Sequence, residues 1–263
     1  MAGDVTVALD AMGGDHAPGE PVKGALAAAG AGIRVKLVGD ERVLSDELAA
    51  HGGPAPGVDI VHAPQVIGSS EDGARAVRSK PGASVAVACR LVGEGEAQAV
   101  VSAGHTGAML AACTLYLRRV PGVMRPGIAV VMPSSRGPVV LLDAGANAEA
   151  RPEHYPQFAL MGRLFARDVL GLADPRVGLL SIGEEDARGS ETVQAATIHV
   201  AIPNFLLVRI VEHLQQRTRR LGSNLSLELV IALVASFHAE VVVFVLVEQL
   251  LEFEFLLARV RDD

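Results

Sequence analysis

Four apolar runs in this chain end in the same way, and that repetition limits the fold more than any other feature. Val5–Leu9 runs into Asp10, Ala11, Met12, Gly13, Gly14, Asp15, His16, Ala17 and Pro18. Ala97–Val101 runs into Ser102, Ala103, Gly104, His105, Thr106 and Gly107. Val139–Leu142 runs into Asp143, Ala144, Gly145, Ala146, Asn147, Ala148 and Glu149. Val177–Ile182 runs into Gly183, Glu184, Glu185, Asp186, Ala187, Arg188, Gly189, Ser190 and Glu191. Each reads as a strand followed by a small, polar, glycine-bearing loop. In an open parallel sheet such loops lie at the carboxyl ends of the strands, where α/β folds place ligands.

Further strand-like runs are Val35–Val38, Val58–Val61 and Ile128–Met132. Helix-like segments alternate with the strands near Pro21–Ala29, Arg42–His51, Ser84–Val92, Thr106–Arg119 and Glu153–Leu170. Continuous Val/Leu/Ile runs are those of strands covered on both faces. The alternation predicts an α/β fold with a mostly parallel, doubly wound sheet. Ile128–Met132 and Val139–Leu142 are separated by only Pro133–Pro138, too short for a helical crossover, so an antiparallel pair is expected there.

The chain has 263 residues, half of them hydrophobic, enough for one large α/β domain or two small ones. Its formal charge of −7 argues against a general nucleic-acid binder. Cys89 and Cys113 sit in apolar, helix-like surroundings and read as buried free thiols, with a lone disulfide as the alternative. The first residues show no basic segment followed by an apolar one, so a cytoplasmic location is the expectation. No uncharged apolar run reaches the roughly 18 residues of a membrane span.

The composition breaks near Thr197. Of 28 glycines only Gly222 lies beyond it, and of 14 prolines only Pro203. This divides the chain into an α/β part, 1–197, and an atypical hydrophobic tail, 198–263, docked on that part or at a dimer interface. From Leu225 to Leu257 every odd position except Gln249 is apolar, and the glutamates fall on even ones. A two-residue period favours strands; leucine and glutamate also form helices well. Both readings stand for the tail.

Gly13 and Gly14 permit close approach of backbone to a ligand, and their amides can face an anion. The Ser102–Gly107 loop precedes a helix and suits an anion at the helix N-terminus, or an ordinary cap by Thr106. Asp143 and Asn147 can hydrogen-bond a ligand or order their own loop. Three acids in a row at Glu184–Asp186 read as a solvated turn or a functional strand end. Arg118, Arg119, Arg125 and Arg136 form a basic cluster, either a solvated face or a site for phosphate or an acidic partner. His16 and His154 read as structural or titrating histidines. There is no dinucleotide fingerprint, Walker loop, paired C-x-x-C or H-E-x-x-H.

Taken together, these stretches resemble the bacterial phosphate acyltransferases of phospholipid synthesis, also called acyl-ACP:phosphate transacylases. The matching segments are Leu9–Pro18, Val101–Ala108, Leu142–Asn147, Arg151–His154 with Gln157–Ala159 and Met161–Gly162, and Val177–Asp186, over roughly residues 4–197. The resemblance implies a three-layer α/β/α fold akin to the isocitrate and isopropylmalate dehydrogenases and to phosphotransacetylase. It implies a homodimer in peripheral contact with the membrane that makes acyl phosphate from acyl-ACP and inorganic phosphate, with no metal or organic cofactor. The implied phosphate clamp is Gly13, Gly14, Gly104 and Gly107 with Arg188. The implied catalytic residues are His16, which would handle a proton, with Arg188 and Asp10. Asp15, Ser102, His105, Thr106, Asp143, Asn147 and Glu184 would join the substrate- and phosphate-binding loops. There the carboxylates Asp10, Asp15, Asp143 and Glu184 would orient basic residues or hold loops rather than bind phosphate directly. The family usually has asparagine at position 105, lysine at 188 and asparagine at 190. It also continues beyond Thr197 with glycine-rich motifs that this chain lacks. The rival readings are a related CoA-dependent phosphate acyltransferase, and a chain that keeps only the first part of the fold and turns nothing over.

Overall fold

The structure is a computed structural model that describes residues 5–134, 137–144, 146–147, 150–182, 205–210 and 242–245. The chain forms two compact units, 1–121 and 122–263. The compositional break at Thr197 falls inside the second.

The first unit alternates strand and helix: β1 (Thr6–Asp10), α1 (Gly19–Gly30), β2 (Arg34–Gly39), α2 (Glu41–Ala50), β3 (Val58–His62), α3 (Gly73–Ser79), α4 (Ser84–Gly93), β4 (Ala99–Ser102) and α5 (Thr106–Tyr116). The sheet order is β3-β2-β1-β4, all parallel. Strand alternation sends side chains to both faces. Val35 and Leu37 pack with Ala11, Val22, Ala25, Leu44 and Leu48, on the side of α1 and α2. Val38 and Ala8 pack with Val87, Ala88 and Leu91 of α4. Burying such a Val or Leu contributes roughly 1.5–3 kcal/mol, so these two layers hold the sheet between them. The doubly wound expectation is met here, and the order reverses between β1 and β4.

Local chemistry sets the helix limits. α1 starts two residues before the expected Pro21, because a proline in the first turn gives up an amide that has no intrahelical partner anyway. α5 stops at Tyr116, not Arg119. The amides of Leu117 and Arg118 both donate to Cys113 O, and Arg118 takes a left-handed φ of 67°. The sequence reading missed α3, a seven-residue helix capped by Asp72, whose side chain accepts from Arg75 N at 2.8 Å.

The second unit contains β5 (Ala129–Ser134), β6 (Gly137–Leu142), α6 (His154–Asp168), β7 (Arg176–Ile182), β8 (Phe205–Ile210) and β9 (Val242–Val245). The sheet order is β5-β6-β9-β7-β8. β5 and β6 pair antiparallel as expected. Their pairing extends to Ser134 opposite Gly137, through what the sequence suggested was loop. Pro133 is tolerated because β5 is an edge strand. Pro138 lies outside the stretch where β6 pairs with β9, Val140–Leu142. One face of this sheet, through Val140, Leu142, Val177 and Leu179, packs on Tyr155, Phe158, Ala159 and Ala166 of α6.

Two described strands come from beyond Thr197. β8 pairs parallel with β7, and β9 sits between β6 and β7, parallel to both. Strand is therefore the outcome for these parts of the tail. β9 reads Val-Val-Phe-Val, the continuous apolar run of an internal parallel strand rather than an alternating one. Among the described residues no helix is long and apolar enough to cross a membrane.

Candidate functional site at the β1–β4 switch point

The reversal of strand order between β1 and β4 opens a crevice at their carboxyl ends. The loop after β1 and the loop after β4 flank it. Register places Asp10 opposite Ser102. Ser102 Oγ donates to Asp10 Oδ2 at 2.7 Å, and Gly104 N donates to Ser102 Oγ at 3.1 Å. Asp10 Oδ1 accepts from Met12 N at 3.2 Å. Asp10 is 3% exposed, and this network supplies the partners that a buried carboxylate needs. Asp10 thus ties the two loops together.

The glycines are set by contact. A Cβ on Gly13 would lie 2.6 Å from Asp10 Oδ2 and 2.9 Å from Gly104 N. Gly14 has φ of +101° and packs on Ala103. The two loops are therefore in backbone contact, and no side chain fits between them.

His105, not Thr106, caps α5. Its Nδ1 accepts from Ala108 N at 3.3 Å, and its Nε2 donates to Glu71 O at 2.9 Å. These two bonds require a neutral ring with its proton on Nε2. Histidine is outside the usual set of capping residues, so the sequence pointed instead to the neighbouring threonine. Glu71 in turn accepts from Gly68 N and Lys80 Nζ, both at 2.7 Å. The Lys80 bond, and then the Gly68 bond, hold the Glu71 carboxyl below its usual range. Thr106 and Gly107 open α5, and the first amides of a helix have no intrahelical partner. The amides of Gly104 and Ala108 are already committed to Ser102 and His105.

A small cavity is lined by Asp10, Gly13, Ser84, Gly104, His105 and Ala108, among others. Ser84, the first residue of α4, is the polar member that sequence reasoning missed. Its signal was visible as the start of the helix-like segment Ser84–Val92. The apolar lining of Val66, Ile67, Val85 and Ala108 was not singled out either. Asp15 and His16 are exposed and make no side-chain hydrogen bond to the described residues.

Asp143 and Asn147 belong to the second unit. Asn147 Nδ2 donates to both oxygens of Asp143, at 3.1 and 3.0 Å, and to Pro126 O at 2.9 Å. Asp143 has a left-handed φ of 64°, and burial pushes its carboxyl up against the opposing hydrogen bonds of Asn147 and nearby amides. This pair orders its own loop. Nearby, His154 Nδ1 accepts from Arg151 N at 3.1 Å, a structural role at the start of α6. Glu184 and Arg188 lie outside the described residues. Among the described residues no cluster of His, Cys, Asp and Glu is suited to a metal ion.

The profile of the family described as fatty acid synthesis protein matches residues 5–205, which includes all of these loops. The chain belongs to that family. A phosphate acyltransferase of Desulforamulus reducens is 50% identical over 194 residues, 73% of this chain and 58% of that protein. One from Moorella thermoacetica is 52% identical over 192 residues, 72% of this chain and 56% of that protein. The chain thus spans a little over half the length of these relatives. Among solved structures, a phosphotransacetylase from Streptococcus pyogenes superposes with a TM-score of 0.60 at 14% identity, over 93% of this chain and 78% of that one. A branched-chain phosphotransacylase from Enterococcus faecalis gives 0.55 at 16%, over 91% and 79%. At these identities the likeness is one of fold, and it agrees with the α/β expectation.

Proposed function

We propose that this chain transfers a fatty acyl group from acyl-ACP to inorganic phosphate and releases acyl phosphate for phospholipid synthesis. The observation that carries the reading is the joined pair of glycine loops at the β1–β4 switch point. They lie within a region half identical to proteins named phosphate acyltransferases.

On this reading a phosphate oxygen attacks the thioester carbonyl, the carbon–sulfur bond breaks and the phosphopantetheine thiolate leaves. A thiol with pKa near about 8.5 leaves readily. The protein's main tasks are to hold the dianion in line and to stabilise the developing oxyanion. The backbone around Gly13 and Gly14 and the first turn of α5, Thr106 and Gly107, form the anion cradle. Arg188, outside the described residues, is kept as the candidate phosphate-binding cation that the family resemblance implies. Asp10, Ser102 and His105 fix the cradle, and Asp10 does not touch phosphate, since a carboxylate would repel it. Asp143 and Asn147 do the same for their own loop, and Asp15 and His16 remain free to meet substrate, His16 as the proton carrier. The chain works as a cytoplasmic homodimer in peripheral contact with the membrane, and its macromolecular partner is acyl carrier protein.

The test is release of carrier-protein thiol from acyl-ACP by the full chain, with and without phosphate, beside acyl-CoA. Phosphate-dependent release from acyl-ACP supports the reading. Release from acyl-CoA alone transfers the assignment to a CoA-dependent enzyme, and no release from either rejects it.

A further inference from the structure

The chain has two cysteines, and the fold brings them together. Cys89 on α4 and Cys113 on α5 are 24 residues apart, yet their sulfurs lie 3.7 Å from each other. Both are free. Cys89 is fully buried, with its sulfur 4.0 Å from Met109 Sδ. Cys113 is only half-buried. The two sit among Ala86, Ala108, Ala112 and neighbouring residues of one apolar cluster. A buried cysteine by itself behaves as a small hydrophobe. Two whose sulfurs touch, one of them open to solvent, have the arrangement of an attacking and a resolving thiol. The hydrogen bond between the two sulfurs brings the Cys113 thiol down to about 7 and, with burial, pushes Cys89 up.

We propose that Cys89 and Cys113 form a reversible dithiol–disulfide site, oxidised by a small peroxide, that tethers α4 to α5. The Cys113 thiolate attacks one peroxide oxygen, the O–O bond breaks, and hydroxide leaves to give a sulfenic acid. The Cys89 sulfur then attacks Cys113 Sγ. The S–O bond breaks, and the Cys89 proton leaves with the hydroxyl group as water. Two thiols and one hydrogen peroxide thus yield one disulfide and two waters. The sulfurs must close from 3.7 Å to about 2.05 Å, so α5 is drawn toward α4. Val85 of α4 and Ala108 of α5 both line the small cavity beside Asp10, which places that cavity under the control of the tether. This inference does not rest on the proposed reaction.

The experiment treats the full chain with hydrogen peroxide, blocks remaining thiols with iodoacetamide under denaturing conditions, and weighs the intact chain and its peptides. The expected product is a monomeric chain two mass units lighter, carrying no alkyl groups. One linked peptide pair should contain Cys89 and Cys113, and dithiothreitol should reverse it. In Cys89→Ser, oxidation should stop at a Cys113 sulfenic acid that dimedone traps. In Cys113→Ser, Cys89 should stay reduced. Two alkylated thiols after peroxide, or a disulfide joining two chains, would overturn the proposal; the wild-type chain alone decides this.

Discussion

Ser102 Oγ donates to Asp10 Oδ2 across 2.7 Å, and this bond joins the carboxyl end of β4 to that of β1. It makes two loops 92 residues apart into one structural unit. Ser102→Ala leaves a buried carboxylate oxygen short of a partner, which costs about 1–3 kcal/mol. Urea unfolding of Ser102→Ala, Asp10→Asn and the double variant should give strongly non-additive losses. Additive losses would mean that the two residues act separately.

Gly13 stands at the closest contact between the loops. Gly13→Ala places a methyl 2.6 Å from Asp10 Oδ2 and 2.9 Å from Gly104 N, and the second atom is backbone that cannot turn aside. Overpacking of this kind costs about 1–3 kcal/mol. Thermal unfolding should show a clear drop in Tm, and phosphate binding by calorimetry should weaken at least tenfold. An alanine variant with unchanged Tm and unchanged affinity would show that the loops are not held in contact.

His105 has two separable tasks. His105→Asn can keep the α5 cap through its side-chain oxygen, whereas His105→Ala loses it, at about 1 kcal/mol. Neither retains the Nε2 bond to Glu71 O. The expected order of stability is wild type, then asparagine, then alanine, measured by chemical denaturation. Alanine equal to asparagine would remove the capping role.

Stability should depend on pH with two opposing signs. The Glu71 carboxyl is depressed in the folded chain, chiefly by Lys80. Its contribution is therefore complete above the ordinary carboxylate range and is lost as pH falls through the folded value. The Asp143 carboxyl is raised by burial. Its contribution is complete in acid and declines as pH rises through the raised value. Unfolding free energies between about pH 3 and about pH 7 should show a flatter acid limb in Lys80→Met. The opposite change is expected in Asp143→Asn. An unchanged acid limb in Lys80→Met would contradict the Glu71 account.

Much of this was legible beforehand, and the misses have physical causes. The strand ends at Asp10, Ser102 and Asp143 were readable because an apolar run ending in small polar residues has few alternatives. The cap at His105 was not, because its acceptor nitrogen exists only once Glu71 O fixes the proton on Nε2. The hairpin extended through Pro133 and Pro138 because edge position and missing partners remove the usual objection to proline, and neither is local information. β9 was open between strand and helix. Its neighbours β6 and β7 decide it, and they lie far away in sequence.

The tail tests the second unit. β9 lies between β6 and β7, and β8 extends the sheet beyond β7. Removing residues 198–263 strips partners from three strand edges, and open edges invite aggregation. The 1–197 fragment should be insoluble or bind an apolar dye strongly. A soluble, monomeric, cooperatively folded fragment would make the tail an appendage.

The most direct measurement is a crystal structure of the full chain soaked in phosphate or sulfate. The account predicts one anion between the Asp10–His16 and Ser102–Gly107 loops, held by backbone amides that include the first turn of α5. Density for an anion elsewhere, with none near either loop, would contradict it.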